Sequence, residues 1–255
     1  HSGYRSEVKM KKILHIITTI NRGGAENQLL VLAGQQIKEG YTVEIVYLKD
    51  LPALKDDFEN LGVKVNNFLT GKNPIIQVIL LNNYLRNHEA IIHAHLPRAQ
   101  LLATFSRTNN PIISSRHDAE PFFHNAPKFL SRALALLVDF KSSQQVAISS
   151  AVKKSMVERK EVLKNSKTTV VHYGFQTFVP QTQASPFPKD FDDIAKGRII
   201  FGTAGRLVEQ KDYPTLLAGF AEYHKSWPNS LLVIAGAGPL REQLEDYSVE
   251  LGIKN

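Results

Sequence analysis

Short apolar runs alternate with segments of helical period along nearly the whole chain, and most runs end in a glycine or a polar turn. That alternation admits few folds, because strand, crossover helix and parallel strand repeat into an α/β layer structure. Ile13-Leu14-His15-Ile16-Ile17-Thr18 is the first run, followed by the loop Thr19-Ile20-Asn21-Arg22-Gly23-Gly24-Ala25-Glu26. Leu29, Leu30, Leu32, Ala33 and Ile37 then keep helical spacing, and Gly40 stands where a helix end takes glycine. Residues 42–48 supply the next strand and complete a βαβ unit, whose crossover is expected to be right-handed.

The same reading predicts helices at 54–61, 74–87, 99–107 and 128–141, with another from Ser149 to about 162. Strands are expected at 63–68, 90–95, 111–115, 145–148 and 168–171. At 180–188 the composition turns to Pro, Gln, Ser and Thr, as in a linker or hinge. Beyond it the pattern restarts with a strand at 199–201, a helix at 213–225, a strand at 231–235 and a helix at 240–251. Two strands and two helices do not close a doubly wound sheet, so the second domain is expected to be incomplete. The organisation read here is a leader at 1–9 ahead of Met10, a Rossmann-like domain at 10–179, a linker at 180–197 and part of a second domain at 198–255.

Within the second domain, Ile199, Ile200 and Phe201 suit a parallel strand covered on both faces. Gly202 and Gly205 permit a turn and a close ligand approach, and Arg206 and Lys211 follow directly. Pro214 fits the first turn of the next helix, so the two cations sit where a doubly wound sheet receives ligands. The stretch reads as an anion clamp.

Composition removes several alternatives. The chain has no cysteine, which excludes a disulfide framework and thiolate chemistry and fits a cytoplasmic location. The formal charge is +7, and residues 198–255 carry six basic against seven acidic side chains, so the excess belongs to the preceding part. Such a surface attracts a phosphorylated substrate or an anionic membrane face, while no nucleic-acid motif is present, so nucleic acid is not expected as a partner. The most apolar segment, 129–140, is too short for a membrane span, carries Arg132 and Asp139, and reads as a core helix.

The motifs in their order resemble the retaining glycosyltransferases of family 4, which have the GT-B fold of two facing Rossmann-like domains. The resemblance rests on Lys12-Ile13-Leu14-His15-Ile16-Ile17 with Asn21-Arg22-Gly23-Gly24-Ala25-Glu26, and on Ile92-His93-Ala94-His95-Leu96-Pro97-Arg98-Ala99. Val171-His172-Tyr173-Gly174-Phe175 and Gly205-Arg206-Leu207-Val208-Glu209-Gln210-Lys211-Asp212 complete it. It implies transfer of a sugar from a nucleotide diphosphate sugar, UDP- or GDP-linked, to the hydroxyl of a glycan or lipid-linked acceptor in cell-surface polysaccharide, lipopolysaccharide or glycolipid synthesis. No cofactor and no metal are expected, and the protein would work in the cytoplasm or against the inner membrane face.

By the same resemblance, Gly23 and Gly24 face the donor diphosphate and acceptor, while Arg206 and Lys211 hold the diphosphate. Gly205, Gly236 and Gly238 let backbone approach the nucleotide, and His117 lies beside the transferred sugar, orienting it rather than acting as a base. The competing reading of His117 is a turn histidine satisfied by Asp118 or Glu120. His93 and His95 are two apart on a strand and share a face; with no third ligand nearby in sequence, they are read as packing and acceptor-side contacts rather than a metal site. The family's paired-glutamate motif does not occur, Glu242, Glu245 and Glu250 are not assigned its role, and the chain as it stands is expected to be inactive. His172-Tyr173-Gly174-Phe175-Gln176 stands where many members read Asn-Gly-Val-Asp, so hinge contacts do not carry over. A non-catalytic nucleotide-binding or scaffold subunit of a transferase complex is the rival reading.

Overall fold

A computed structural model describes residues 12–86, 88–163, 168–175 and 190–254. The leader at 1–9 and the linker composition at 180–188 lie outside these residues. The chain divides into two compact units, His1–Phe178 and Val179–Asn255.

The first unit follows the alternation closely: β1 (Lys12–Ile17), α1 (Gly24–Lys38), β2 (Thr42–Tyr47), α2 (Lys55–Asn60), β3 (Lys64–Asn66), α3 (Pro74–Leu85), β4 (Ile91–His95) and α4 (Pro97–Phe105). Then come β5 (Ile112–Arg116), α5 (Lys128–Lys141), β6 (Gln144–Ala147), α6 (Ser150–Glu158) and β7 (Thr168–Val170). All seven strands are parallel, in the order β3-β2-β1-β4-β5-β6-β7, so the direction of winding reverses between β1 and β4. Ligands of doubly wound sheets bind outside the carboxyl ends of strands at such a reversal.

Alternation along the central strands sends side chains to two separate cores. Leu14, Ile16, Ile92 and Ala94 pack with Leu81, Leu85 and Leu102 of α3 and α4. Ile17, Val43 and Ile45 pack with Leu29, Ala33 and Phe58 of α1 and α2. Each of these larger aliphatic side chains stabilises the fold by about 1.5–3 kcal/mol through burial. Local punctuation agrees with the sequence: Gly40 has φ +84°, and the amides of Gly40 and Tyr41 donate to Ile37 at 2.9 Å and Gln36 at 3.0 Å, closing α1. Ser149 caps α6 by accepting from the Val152 amide at 3.2 Å.

α5 departs from the expectation of a core helix. Ser131, Ala135, Val138 and Asp139 face inward, but Phe129 and Phe140 are 76% and 65% exposed, because only one side of this helix meets the rest of the unit. Among the described residues no helix is long and apolar enough to cross a membrane.

The second unit contains α7 (Phe191–Ala195), β8 (Ile199–Ala204), a 3-10 turn at Glu209–Lys211, α8 (Tyr213–Ser226), β9 (Ser230–Ala235) and α9 (Arg241–Glu250). α7 falls inside the span read as linker. β8 and β9 pair in parallel from Ile199 opposite Ser230 to Ala204 opposite Ala235. The core is small, centred on Leu207, Tyr213, Leu217 and Leu244. β8 is not the doubly covered strand that its composition suggested, since Ile199, Ile200 and Phe201 are 48%, 46% and 40% exposed. Its single strand partner among the described residues is β9, and ring contact from α8 reaches it only at Phe201.

Candidate functional site

Pairing of β1 with β4 sets His15 opposite His93, and pairing of β4 with β5 sets His95 opposite Ser115. With a side-chain period of two, His15, His93, His95 and Ser115 all rise from one face, and His117 follows two residues beyond Ser115. They form a continuous line of hydrogen bonds. His15 Nε2 meets Gln36 Oε1 at 2.8 Å, His15 Nδ1 meets His95 Nε2 at 3.0 Å, His95 Nδ1 meets His117 Nε2 at 3.1 Å, and His117 Nδ1 meets the Tyr173 hydroxyl at 2.6 Å. His93 stacks beside the line, tilted on both His15 and His95, and bonds Ser115 Oγ at 2.7 Å.

Burial decides the charge of these rings. It lowers His15 to about 4, although the Gln36 bond pulls the other way. Burial, and then the neighbouring charge of Arg116, brings His117 to about 4 as well. His93 and His95 are lowered well below the usual histidine value, first by burial and then by the surrounding imidazoles. Tyr173 is pushed up to about 12 by burial and by the carboxylates of Asp118 and Glu26. The whole line is therefore neutral at pH 7, which suits orientation of a ligand better than proton abstraction.

His117 is not the turn histidine held by Asp118 or Glu120, because its ring nitrogens meet His95 and Tyr173. A third nitrogen ligand, distant in sequence from His93 and His95, arrives from the adjacent strand as His15. One nitrogen of each of the three lies within 4.8 Å of the others, a donor set that a small divalent cation could use. The direct bond between His15 Nδ1 and His95 Nε2 competes with that use.

The histidines floor a groove of about 500 Å³ lined by His93, His95, His117 and Tyr173, with Leu32 and Gln35 of α1 on its side. Gly23 and Gly24 lie at the start of α1, where the Asn27 amide donates to Gly23 O at 3.0 Å and Thr19 Oγ1 donates to Glu26 Oε1 at 2.7 Å. Neither glycine has left-handed backbone. A Cβ on Gly24 would meet nothing within 4 Å, and one on Gly23 would meet only the movable end of Glu26. Packing therefore does not demand either glycine. Leu96, directly after β4, has φ 69° and ψ 147°, a conformation costly for leucine. Its side chain packs on the α1 side of the sheet, while the main chain turns away to begin α4 over the opposite core.

In the second unit, Gly205, Arg206, Gly236 and Gly238 follow the carboxyl ends of β8 and β9. The two loops run against each other: Gly205 N donates to Ala235 O at 3.0 Å and Leu207 N to Ala237 O at 2.9 Å. A Cβ on Gly236 would lie 1.9 Å from Gly205 O, and one on Gly238 would lie 2.3 Å from Leu207 O. These glycines thus have a packing role that the sequence did not reveal. Gly202 and Gly205, expected to make the turn, have no positive φ; the left-handed residue is Asp212, with φ 49°. The Lys211 stem lies 3.9 Å from a Cβ placed on Gly205, which brings Lys211 back to the loop mouth. Arg206 and Lys211 are exposed and have no ion-pair partner among the described residues. A hollow of about 320 Å³ between α8, β9 and α9 includes neither cation.

Residues 22–177 match the model of Glycosyltransferase Family 4. The chain is 24% identical over 258 residues to EpsF of Bacillus subtilis, named as a glycosyltransferase, with 92% of this chain and 64% of EpsF covered. An uncharacterised glycosyltransferase of Methanocaldococcus jannaschii is 26% identical over 123 residues, covering 48% of this chain and 30% of that protein. The chain thus spans less than two thirds of the length of both relatives. In fold it is similar to Anabaena HepE, solved in complex with UDP-glucose, with a TM-score of 0.75 at 19% identity over 96% of this chain and 67% of HepE.

Proposed function

The chain belongs to glycosyltransferase family 4 and has a fold of the GT-B class, and from that premise we propose that the protein moves a sugar from a nucleotide diphosphate sugar to an acceptor hydroxyl with retained anomeric configuration. The observation that carries this reading is the pair Arg206 and Lys211, exposed and without ion-pair partners among the described residues, beside the joined loops after β8 and β9. A diphosphate leaving group gains charge as the glycosidic bond breaks. Cations drawn onto the diphosphate stabilise that charge more than they stabilise the ground state, which is what lowers a barrier. The leaving diphosphate takes the acceptor proton on the same face, so a dedicated carboxylate base is not required. UDP-glucose in HepE supports a uridine-linked donor, with a guanosine-linked one as the alternative.

His117 holds a hydroxyl of the transferred sugar in this scheme, while Gly23 and Gly24 leave room for the donor and acceptor at the start of α1. The acceptor is a glycan or lipid-linked hydroxyl in cell-surface polymer synthesis, met at an anionic membrane face that attracts the basic first unit. Flotation with vesicles containing phosphatidylglycerol tests that last part, and equal recovery with neutral vesicles refutes it.

Calorimetric titration of the protein with UDP, GDP and their sugar conjugates tests the donor. Replacing both cations, Arg206→Gln with Lys211→Gln, is expected to weaken diphosphate binding roughly 100-fold or more, since charge-assisted hydrogen bonds contribute about 1.5–3 kcal/mol each. Unchanged affinity refutes the clamp. Binding by the intact protein that is never accompanied by transfer or hydrolysis of any radiolabelled nucleotide sugar would favour a non-catalytic nucleotide-binding subunit instead.

A further inference from the structure

The line from Gln36 to Tyr173 has a direction. An amide carbonyl oxygen only accepts, so Gln36 Oε1 requires the proton of His15 on Nε2 and leaves His15 Nδ1 bare. His95 must then donate from Nε2 to His15 Nδ1, at 3.0 Å, which leaves His95 Nδ1 bare. His117 donates in turn from Nε2 to His95 Nδ1, at 3.1 Å, and its own Nδ1 is left as an acceptor, filled by the Tyr173 O–H at 2.6 Å. Each neutral imidazole has one donor and one acceptor nitrogen, so a choice made at one end propagates through all three rings. Aligned bonds of this kind also polarise one another and resist reversal of a single member. The Nε2–H form is, besides, the one that a neutral histidine side chain prefers in water.

We propose that Gln36 is a positioning residue which, through His15 and His95, fixes His117 in the Nε2–H tautomer, so that His117 Nδ1 accepts a hydrogen bond from a substrate hydroxyl and never donates one. This rests on the reading of His117 as a contact for the transferred sugar. It adds a selectivity: the ligand group at this point must carry an O–H or N–H, and an ether or carbonyl oxygen is refused. Tyr173 uses the same acceptor and so competes with the ligand, from a position where the chain reads His172-Tyr173-Gly174-Phe175. Gln36 itself lies on α1 and is only half-buried, which makes it open to substitution without opening the core.

The test is two-bond nitrogen–proton correlation NMR on protein labelled with ¹⁵N-histidine, recorded without nucleotide sugar. The expected result is protonated Nε2 and bare Nδ1 at His15, His95 and His117 together. Tyr173→Phe should leave that pattern unchanged at His117, because the direction is set from the Gln36 end. Gln36→Met should give His117 a mixture of both tautomers, and Gln36→Glu, which restores an acceptor, should return it to Nε2–H. A wild-type His117 protonated on Nδ1, or a tautomer that reverses in Tyr173→Phe and not in Gln36→Met, overturns the proposal. A stoichiometric zinc ion bound to His15, His93 and His95, seen by mass spectrometry of the purified protein, overturns it as well. Because the spectra need no turnover, failure of the intact protein to transfer sugar would refute the proposed reaction and leave the tautomer assignment standing, and the reverse outcome is equally distinguishable.

Discussion

At the carboxyl edge of the seven-stranded sheet, polar side chains hold one another, from Gln36 through three imidazoles to Tyr173. Beneath them Arg116 is 4% exposed and pairs with Glu161 at 3.0 Å, while Glu161 also accepts from the Phe122 amide at 3.1 Å. At the edge of the two-stranded sheet, backbone shapes the site through paired loops and glycines, and the cations stand in solvent. Side chains locked by their neighbours suit a fixed orientation of a neutral group, since little is left to reorganise on binding. Cations with no ion-pair partner among the described residues keep their full charge for an incoming anion, at the cost of ordering long side chains when it binds.

The contrast breaks most visibly if Glu161→Ala unfolds both units together. Removing one partner of a buried ion pair leaves Arg116 uncompensated and is expected to cost about 3–5 kcal/mol. Trp227 is the sole tryptophan and lies in the second unit, so its fluorescence follows that unit, while far-UV circular dichroism is dominated by the first. Urea titration should lower the dichroism midpoint and leave the fluorescence midpoint in place.

Acid should separate the units next. The folded-state values of about 4 for His15 and His117 lie below the unfolded value near 6.5, so the unfolded chain binds more protons in between. Stability from each is complete above pH 6.5 and is lost as pH falls towards 4, by roughly 3 kcal/mol per histidine. Urea midpoints at pH 7, 5.5 and 4.5 should fall faster by dichroism than by tryptophan fluorescence, and parallel falls would erase the distinction.

Glycine substitutions are expected to give the smaller effects. Gly236→Ala forces a methyl onto the Gly205 carbonyl, 1.9 Å away, and should destabilise the second unit by about 1–3 kcal/mol in the fluorescence titration. Gly24→Ala meets open space at the start of α1 and should be neutral or stabilise the first unit by up to about 1 kcal/mol. A Gly24→Ala protein that is stable yet loses donor binding would show that ligand, not packing, needs that glycine.

The order of strands and helices was legible because its signals are local: apolar runs, the Gly40 closure, the Ser149 cap. The exposure of β8 was not, since an apolar triplet reads the same whether or not a neighbour covers it. His15 was visible as a strand residue but not as a site residue, because its partner His95 is 80 positions away and meets it only through the strand order. His117 stood out as a polar residue after a strand, whereas Gln36 had no mark at all on its helix. Gly236 and Gly238 were recognised as a turn, but the carbonyls that exclude their side chains belong to another loop.

Leu96 adds an evolutionary consequence. Its backbone conformation costs on the order of 1–3 kcal/mol, offset in part by burial of a side chain that is only partly covered. Glycine there would relieve the backbone and forfeit the packing, so neither residue is clearly superior alone. The balance is held by its neighbours under α1, and trimming one of them should turn Leu96→Gly from a harmful change into a tolerated one. Positions 96 and 29 are thus expected to be epistatic, each substitution's fitness depending on whether the other has already occurred.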